Sequence, residues 1–327
     1  MDLLTANHSS YPRIGSGADE QVLRHTIAQC DRGEKTDADV RTAENHLALL
    51  ALQDQEKAGL DVVTDGLIRW NDPISHLAAK LEGTRIDGLL RYFDTNFYFR
   101  QPEVYGKIKR ARPLVVEEFR WAAERSAQPV KAVLTGPCTL ARLSLQDGEA
   151  AIPASLALSY AKALSAEVAA LAATGARVVQ IDEPCLLRYP ADLRPGREAL
   201  AMIAERKGNA ELVLATYFGD AAPVYTQLQE LPVDALILDF TYSPDLVGVV
   251  EAEGSAKPLG FGLLDGRNTR LEDKAAAARL LERMLARVTA ERCCLTTSCG
   301  VEYLPRDRAR LKLKHLTAVK NSLMGVI

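Results

Sequence analysis

Residues 177–184, RVVQIDEP, place a short run rich in Val and Ile directly before two carboxylates, Asp182 and Glu183. Similar apolar runs recur along the chain between longer segments rich in Ala and Leu. This alternation implies repeated βα units around a parallel sheet. Strands are predicted at residues 61–64, 131–135, 177–181, 211–216, 235–238, 259–264 and 294–297, with a weaker one at 9–14. The clearest helices are predicted at residues 152–174 and 273–287.

Eight strands in this alternation favour a closed barrel over a doubly wound sheet, because the glycine-rich first βα turn of a doubly wound fold is absent. We therefore expect an α/β fold, a (β/α)8 TIM barrel that spans residues 1–327 as one domain. Residues 83–113 are long for a βα loop and rich in aromatic residues. They indicate an inserted hairpin or lid after the second strand; the alternative is that the aromatic side chains only anchor a loop to the barrel wall.

Composition narrows the classes of function. The 327 residues carry a net charge of -3, and Lys and Arg are spread along the chain, which argues against a nucleic-acid partner. Residues 1–13 do not resemble a signal peptide, and no stretch approaches the roughly 18 apolar residues of a membrane span. The six cysteines form no CxxC pair, and no HxH, HxxxH or HxC arrangement suggests a local zinc site. We expect a cytoplasmic protein, without a membrane partner, that binds a small polar or acidic metabolite.

The polar residues that follow the predicted strands are the candidates for chemistry, because barrel enzymes carry their working residues at these strand ends. Four Asp residues directly follow apolar strands, and we expect their side chains to converge on one cavity: Asp65, Asp182, Asp239 and Asp265. Asp182 and Glu183 suit a general base or a grip on a substrate ammonium group, with helix capping as the alternative. Pro184 follows and no helix begins cleanly there, which favours a functional Asp182.

Two further loops suit ligand binding. Thr135 and Gly136 begin a turn, Thr-Gly-Pro, that would expose backbone amides to a ligand. Arg267 and Arg270 flank Asn268 in another strand-end loop and suit a carboxylate or phosphate, although a surface salt bridge explains them nearly as well.

Taken together, these strand ends resemble the cobalamin-independent methionine synthases. The most specific segments are residues 134–137, LTGP, and 180–184, QIDEP, and the similarity runs from residues 11–16, YPRIGS, to 298–300, SCG. The resemblance implies a methyltransferase that moves a methyl group to an amino-acid thiol such as homocysteine. It also implies methyl-folate as donor and zinc as the metal that activates the thiol.

The resemblance carries roles to individual residues. Residues 14–16 resemble a loop that binds homocysteine, Asp182 a homocysteine-binding Asp, and Cys299 a zinc ligand. With the strand-end reasoning, this gives Asp182, Glu183 and Arg267 as catalytic candidates and Cys299 and Asp239 as metal ligands. The substrate-binding candidates are Ile14, Gly15, Ser16, Asp65, Thr135, Gly136, Tyr217, Asp265 and Asn268.

The sequence departs from the family at its metal site. Leu214 and Thr216 stand where catalytic barrels have an H-x-C pair, Asp239 where they have a Glu ligand, and Arg267 where they have a proton-donating His. Leu67 also replaces an expected Glu. Two ligands rarely hold zinc tightly, so a rebuilt site would need His8, Cys138 or Cys185.

Segments 11–13, 214–220 and 265–268 instead resemble the non-catalytic N-terminal barrel of the family. Two alternatives to the methyltransferase therefore remain. One is a metal-independent decarboxylase or lyase acting on a small acidic metabolite, for which the related uroporphyrinogen decarboxylases are a precedent. The other is a non-catalytic barrel with a partner protein, a separate catalytic subunit, that binds folate through the basic residues Lys107, Lys109, Arg110 and Arg112.

Overall fold

The computed structural model describes residues 1–144, 153–323 and 325. Its strands are β1 (Asp2–Thr5), β2 (Glu82–Arg91), β3 (Tyr98–Lys109), β4 (Ala132–Thr135), β5 (Val178–Asp182), β6 (Glu211–Thr216), β7 (Ala235–Asp239), β8 (Leu259–Leu264) and β9 (Arg292–Thr297). Its α-helices are α1 (Ala18–Asp31), α2 (Asp37–Lys57), α3 (Ser75–Ala78), α4 (Val116–Ala123), α5 (Pro137–Leu143), α6 (Ala154–Ala173), α7 (Cys185–Arg188), α8 (Leu193–Ala204), α9 (Tyr225–Gln229), α10 (Leu246–Glu253), α11 (Lys274–Leu285) and α12 (Arg306–Leu323). Short 3-10 turns lie at Pro190–Asp192 and Ala222–Val224.

Seven parallel strands form one sheet in the order β1-β9-β8-β7-β6-β5-β4. The gap between β1 and β4 is closed by residues 62–63, because Val62 forms a parallel bridge with Ala6 and Val63 forms one with Val130. These two residues complete the barrel as its eighth strand position, held by two backbone hydrogen bonds on each side. The predicted (β/α)8 barrel is confirmed.

The first strand lies earlier than predicted. It spans Asp2–Thr5 and pairs with β9, whereas residues 9–14 form the loop that follows it. Pro12 lacks the N–H that a central strand must donate, and the apolar Leu3 and Leu4 carry the strand pattern instead. The weak strand predicted at 9–14 was therefore wrong, and the correction places this loop at the mouth of the barrel.

Residues 82–109 form an antiparallel hairpin of β2 and β3, which lies in the chain between residues 62–63 and α4. Arg91 pairs with Tyr98 in its register, so residues 92–97 make the connecting tip. Exposed Leu89 and Tyr105 lie on the hairpin, whereas Tyr92 and Phe99 are buried. The buried aromatic side chains attach the hairpin to the barrel.

The helices surround the sheet, and local capping fixes where several begin. The Thr36 side chain accepts a hydrogen bond from the Asp39 backbone at the start of α2, and Asp273 does the same for Ala276 at α11. Within the described ranges, α6 alone has the length and apolar composition of a membrane span, and half of it is buried. It packs against α5 and α8, as an apolar helix on a barrel wall must.

Candidate functional site

A cavity of about 330 Å³ opens at the carboxyl ends of the barrel strands. Of the residues predicted from sequence, Ile14, Thr135, Asp182, Tyr217 and Cys299 line it. The hairpin contributes Tyr92, Phe97 and Tyr98, and the loop after β1 contributes Ser9, Ser10, Tyr11, Pro12 and Arg13. The other described residues that line the cavity are Gly66, Leu67, Trp70, Asn71, Asp72, Pro73, Gly300, Glu302, Tyr303 and Leu304.

Asp182 ends β5 and presents a buried carboxylate to this cavity. Gln180 Nε2 donates to Asp182 Oδ1 at 2.6 Å, and the Tyr217 hydroxyl donates to Asp182 Oδ2 at 3.3 Å. Burial raises the pKa of Asp182 to about 7, against the opposing effects of these hydrogen bonds and of Lys131. The side chain thus changes charge near neutral pH and is held in one orientation.

A buried lysine lies behind Asp182 in the barrel interior. Lys131 Nζ donates to Gln180 Oε1 at 2.6 Å and to the His8 carbonyl oxygen at 2.9 Å. The Gln180 amide therefore links the ammonium of Lys131 to the carboxylate of Asp182. Burial lowers the pKa of Lys131 to about 8. Sequence reasoning missed this support because both residues lie inside a strand pattern that reads as core.

Cys299 and Glu302 form a second polar wall of the cavity. The buried Cys299 thiol lies 3.4 Å from the Gly300 carbonyl oxygen, and burial, with Glu302 and Asp239 nearby, raises its pKa well above the ordinary value. Glu302 accepts a hydrogen bond from the Ser10 hydroxyl, and burial raises the pKa of its carboxyl as well. Glu302 was not among the predicted residues, although it follows the polar strand end at Cys299 by three positions.

The loop predicted to bind substrate through residues 14–16 reaches the cavity through Ile14 and not through Gly15 or Ser16. A Cβ atom at Gly15 would collide with the Glu20 carboxylate, and Ser16 is exposed. Glu20 also accepts from the Gly17 backbone at 3.0 Å, so this part of the loop is shaped to begin α1. The five residues that precede Ile14 line the cavity together with it.

Glu183 points away from the cavity. Its carboxylate accepts hydrogen bonds from the Cys138 N–H at 2.8 Å, the Thr139 N–H at 2.7 Å and the Thr139 hydroxyl at 2.6 Å. Burial raises the pKa of Glu183 to about 7 despite these bonds. Gly136 leaves room for this carboxylate, because a Cβ atom there would collide with it. Both residues position α5, and the geometry does not support the predicted catalytic or binding roles.

The four strand-end Asp side chains do not converge on one cavity. Asp65 accepts from the Leu67 N–H at 3.0 Å and pairs with Arg69 at 3.5 Å. Asp239 accepts from the Thr241 N–H at 2.8 Å, and Asp265 accepts from the Arg267 N–H at 2.8 Å. Each of these three carboxylates caps the turn that follows its own strand. These three carboxylates stabilise turns, and Asp182 alone of the four lines the cavity.

Arg267 holds the hairpin tip, and Asn268 turns toward its own loop. Arg267 Nη1 donates to Asp94 Oδ1 at 3.0 Å and to the Tyr242 hydroxyl, with the guanidinium 5.2 Å from the ring centroid of Phe218. The Asn268 side chain accepts from the Arg270 N–H at 3.0 Å. Neither residue lines the cavity, and Arg267 connects the hairpin tip to the loop after β7.

Replacing Arg267 by Met is expected to loosen the hairpin tip. The substitution keeps apolar contact with Phe218 but removes the bonds to Asp94 and Tyr242, which for a partly exposed pair are worth up to about 1 kcal/mol. Hydrogen exchange of residues 92–97 should accelerate by about two- to fivefold, while β4 and β5 stay protected. Arg270→Met in the same loop is the control. Unchanged hydrogen exchange of residues 92–97 in Arg267→Met would mean that Arg267 does not hold the hairpin tip.

The two predicted metal ligands do not form a zinc site. Within residues 1–144, 153–323 and 325, no three His, Cys, Asp or Glu side chains are grouped to hold a metal ion. Asp239 is engaged by its own turn, and the Thr216 hydroxyl is buried without a partner at one position of the family's H-x-C pair. The donor set shown by the structure does not fit the zinc of the family.

The three residues considered for a rebuilt site do not complete it. His8 Nδ1 lies 3.0 Å from the Ser9 hydroxyl oxygen, and its Nε2 is buried without a partner. Cys138 and Cys185 lie beside Glu183, which together with burial raises the pKa of both thiols, and neither lines the cavity.

Comparisons with known proteins by sequence and by structure point to the same family. Residues 10–321 match the profile described as the cobalamin-independent synthase catalytic domain. A methionine synthase of Saccharolobus solfataricus is 31% identical over 92% of this chain and 90% of its own length. One of Sulfurisphaera tokodaii is 30% identical over 93% and 89%. The structure of a B12-independent methionine synthase from Shewanella sp. W3-18-1 in complex with selenomethionine superposes with a TM-score of 0.79 at 22% identity, over 99% of this chain and 100% of that one.

Proposed function

The chain belongs to the cobalamin-independent methionine synthase family of methyltransferases, and we propose that it methylates the thiol of a small amino acid such as homocysteine in the cavity beneath the hairpin. The observation that carries the proposal is the position of Asp182. Among the sequence-predicted carboxylates, it is the one that faces the cavity, and its orientation is fixed by Gln180 and Tyr217.

Asp182 is proposed to bind the substrate ammonium group. A buried carboxylate and an ammonium form a charge-assisted hydrogen bond that is stronger than a neutral one. Aromatic side chains of Trp70, Tyr92, Phe97 and Tyr303 surround the cavity and limit the access of water to a bound sulfur. The arrangement suits an amino acid whose ammonium group is bound by Asp182 while its side chain packs against the aromatic residues.

Glu302 is proposed to accept the thiol proton. Burial raises the pKa of the Glu302 carboxyl and so brings it closer to the pKa of a free thiol, which is near 8.5. The proton passes to the Glu302 carboxylate, the sulfur attacks the methyl carbon, and the bond from that carbon to the donor nitrogen breaks as the S–CH3 bond forms. The nitrogen of the donor keeps the bonding electron pair and is then protonated. Methyl-folate is proposed as donor because of family membership alone.

The direct test is product formation. The protein is incubated with L-homocysteine and a methyl-folate carrying an isotopically labelled methyl group, and labelled methionine is measured by mass spectrometry. Labelled methionine with the native chain, and its loss with Glu302→Gln, is the expected result. Binding of homocysteine without turnover would overturn methyl-folate as donor, whereas no binding of homocysteine or methionine would overturn the proposed substrate. In that last case a decarboxylase or lyase reaction and a partner barrel become the alternatives.

The affinity for L-methionine is expected to rise with pH. Asp182 must be ionised to bind an ammonium group, and its pKa of about 7 leaves it mostly neutral in mildly acidic solution. Raising the pH from about 6 to about 8 should tighten binding about tenfold, while the ligand ammonium stays protonated. Gln180, Lys131, Tyr217 and Glu302 also influence this charge. Calorimetric titration across this range provides the measurement, with Asp182→Asn expected to remove the dependence; tighter binding on acidification would be inconsistent with the assignment.

A further inference from the structure

Arg13 is the one cationic side chain among the described residues that line the cavity. The acidic lining residues are Asp72, Asp182 and Glu302. Asp72 is already committed, because it accepts hydrogen bonds from the backbone N–H groups of Ile74 at 3.0 Å and Ser75 at 2.6 Å. A cavity with an available carboxylate and a single guanidinium suits a ligand that carries both charges.

The guanidinium of Arg13 is only partly used by the protein. Nη1 donates to Asn71 Oδ1 at 3.2 Å, whereas Nε is buried without a hydrogen-bond partner. The described residues also offer Nη2 no hydrogen bond and place no carboxylate oxygen within ion-pair distance of Arg13. Burial lowers the pKa of Arg13, with Glu44 opposing and Arg100 adding to the effect.

The free atoms form one edge of the guanidinium. Nε and Nη2 lie on the side that binds both oxygens of a carboxylate in parallel, as Arg32 binds Glu34 elsewhere in this chain at 2.6 and 3.0 Å. The hydration that the buried Nε atom loses is not replaced by a hydrogen bond to any described residue. A ligand carboxylate would supply the missing partner.

We propose that Arg13 binds the α-carboxylate of the amino-acid acceptor through its Nε and Nη2 edge while Asp182 binds the ammonium. This inference rests on the proposed function and adds a residue that selects for a free α-amino acid. The carboxylate of a methyl donor has the same chemistry, so the test must separate the two sources. Arg13 lies in the loop after β1, whose position the sequence pattern had assigned to a strand.

The test compares L-methionine with 3-(methylthio)propylamine, which lacks only the carboxylate. Calorimetric titrations use the native chain, Arg13→Gln and the control Arg100→Gln, which removes a nearby cation that pairs with Asp72 at 3.6 Å and does not line the cavity. The native chain should prefer methionine by about 10- to 100-fold, the usual strength of a hydrogen bond to a charged group. Arg13→Gln should lose this preference by weakening methionine binding alone, and Arg100→Gln should keep it.

The other outcomes overturn the proposal in distinguishable ways. If Arg13→Gln keeps the preference for methionine, the carboxylate lies elsewhere; if it weakens both ligands equally, Arg13 only shapes the cavity. If the preference stays but the affinity for methyl-folate falls in Arg13→Gln, the guanidinium binds the donor instead of the acceptor. If the native chain binds neither methionine nor the amine, the proposed function itself fails, whereas the first three results leave it standing.

Discussion

Asp182→Asn is expected to weaken the binding of L-methionine by a factor on the order of 100 and to abolish methyl transfer. The substitution keeps the size of the side chain and removes the charge that pairs with the ligand ammonium. Once this buried charge is removed, the Lys131 ammonium behind it would repel the ligand ammonium. Calorimetric titration at about pH 8, where native Asp182 is ionised, measures the effect.

The matched control is Asp220→Asn. Asp220 also lies in a strand-end loop, but its carboxylate accepts from the Ala222 N–H at 3.0 Å and is exposed. The affinity of the Asp220→Asn variant for methionine should stay within about twofold of the native value, as expected for a surface substitution outside the site. Equal affinities of Asp182→Asn and the native chain for methionine would show that Asp182 does not bind the ligand.

Gly136→Ala is expected to lower the free energy of unfolding by about 2–4 kcal/mol. The new Cβ atom collides with the Glu183 carboxylate and displaces it from the N–H groups of Cys138 and Thr139. Glu183→Ala should cost about 3 kcal/mol because it leaves the same groups unpaired and buried. The double variant should be less destabilised than the sum, because the collision is then absent.

Urea or thermal denaturation of the four forms measures this non-additivity. Gly248→Ala is the control, since the structure shows open space around a Cβ atom at this helical position, and it should be neutral or slightly stabilising. Simple additivity of the two changes would mean that Glu183 does not occupy the space above Gly136.

The barrel was predictable from sequence because its strands are continuous apolar runs that end in turn-forming residues. The exceptions have physical causes. Strand β1 is only four residues long, and residues 62–63 complete the barrel through isolated bridges. Neither segment is long enough to show a clear hydrophobic pattern in the sequence. The hairpin Glu82–Arg91 and Tyr98–Lys109 is held by cross-strand and aromatic contacts, of which the sequence shows only the aromatic content.

The site was less predictable because an Asp after a strand has two uses. Asp182 faces the cavity, whereas Asp65, Asp239 and Asp265 bond to backbone N–H groups two or three residues onward. Only the direction of the side chain separates these cases, and that direction is set by the turn. Glu302 lies outside any strand pattern and reaches the cavity because its loop folds back over Ser10.

The location of the amino-acid site can be measured in an anomalous selenium map of crystals soaked with L-selenomethionine. We expect a selenium peak inside the cavity of about 330 Å³, with the ligand ammonium at Asp182 and the selenium atom toward Cys299 and Glu302. A soaked crystal with no selenium in this cavity, or with selenium bound at another part of the surface, would contradict the assignment of this cavity as the amino-acid site.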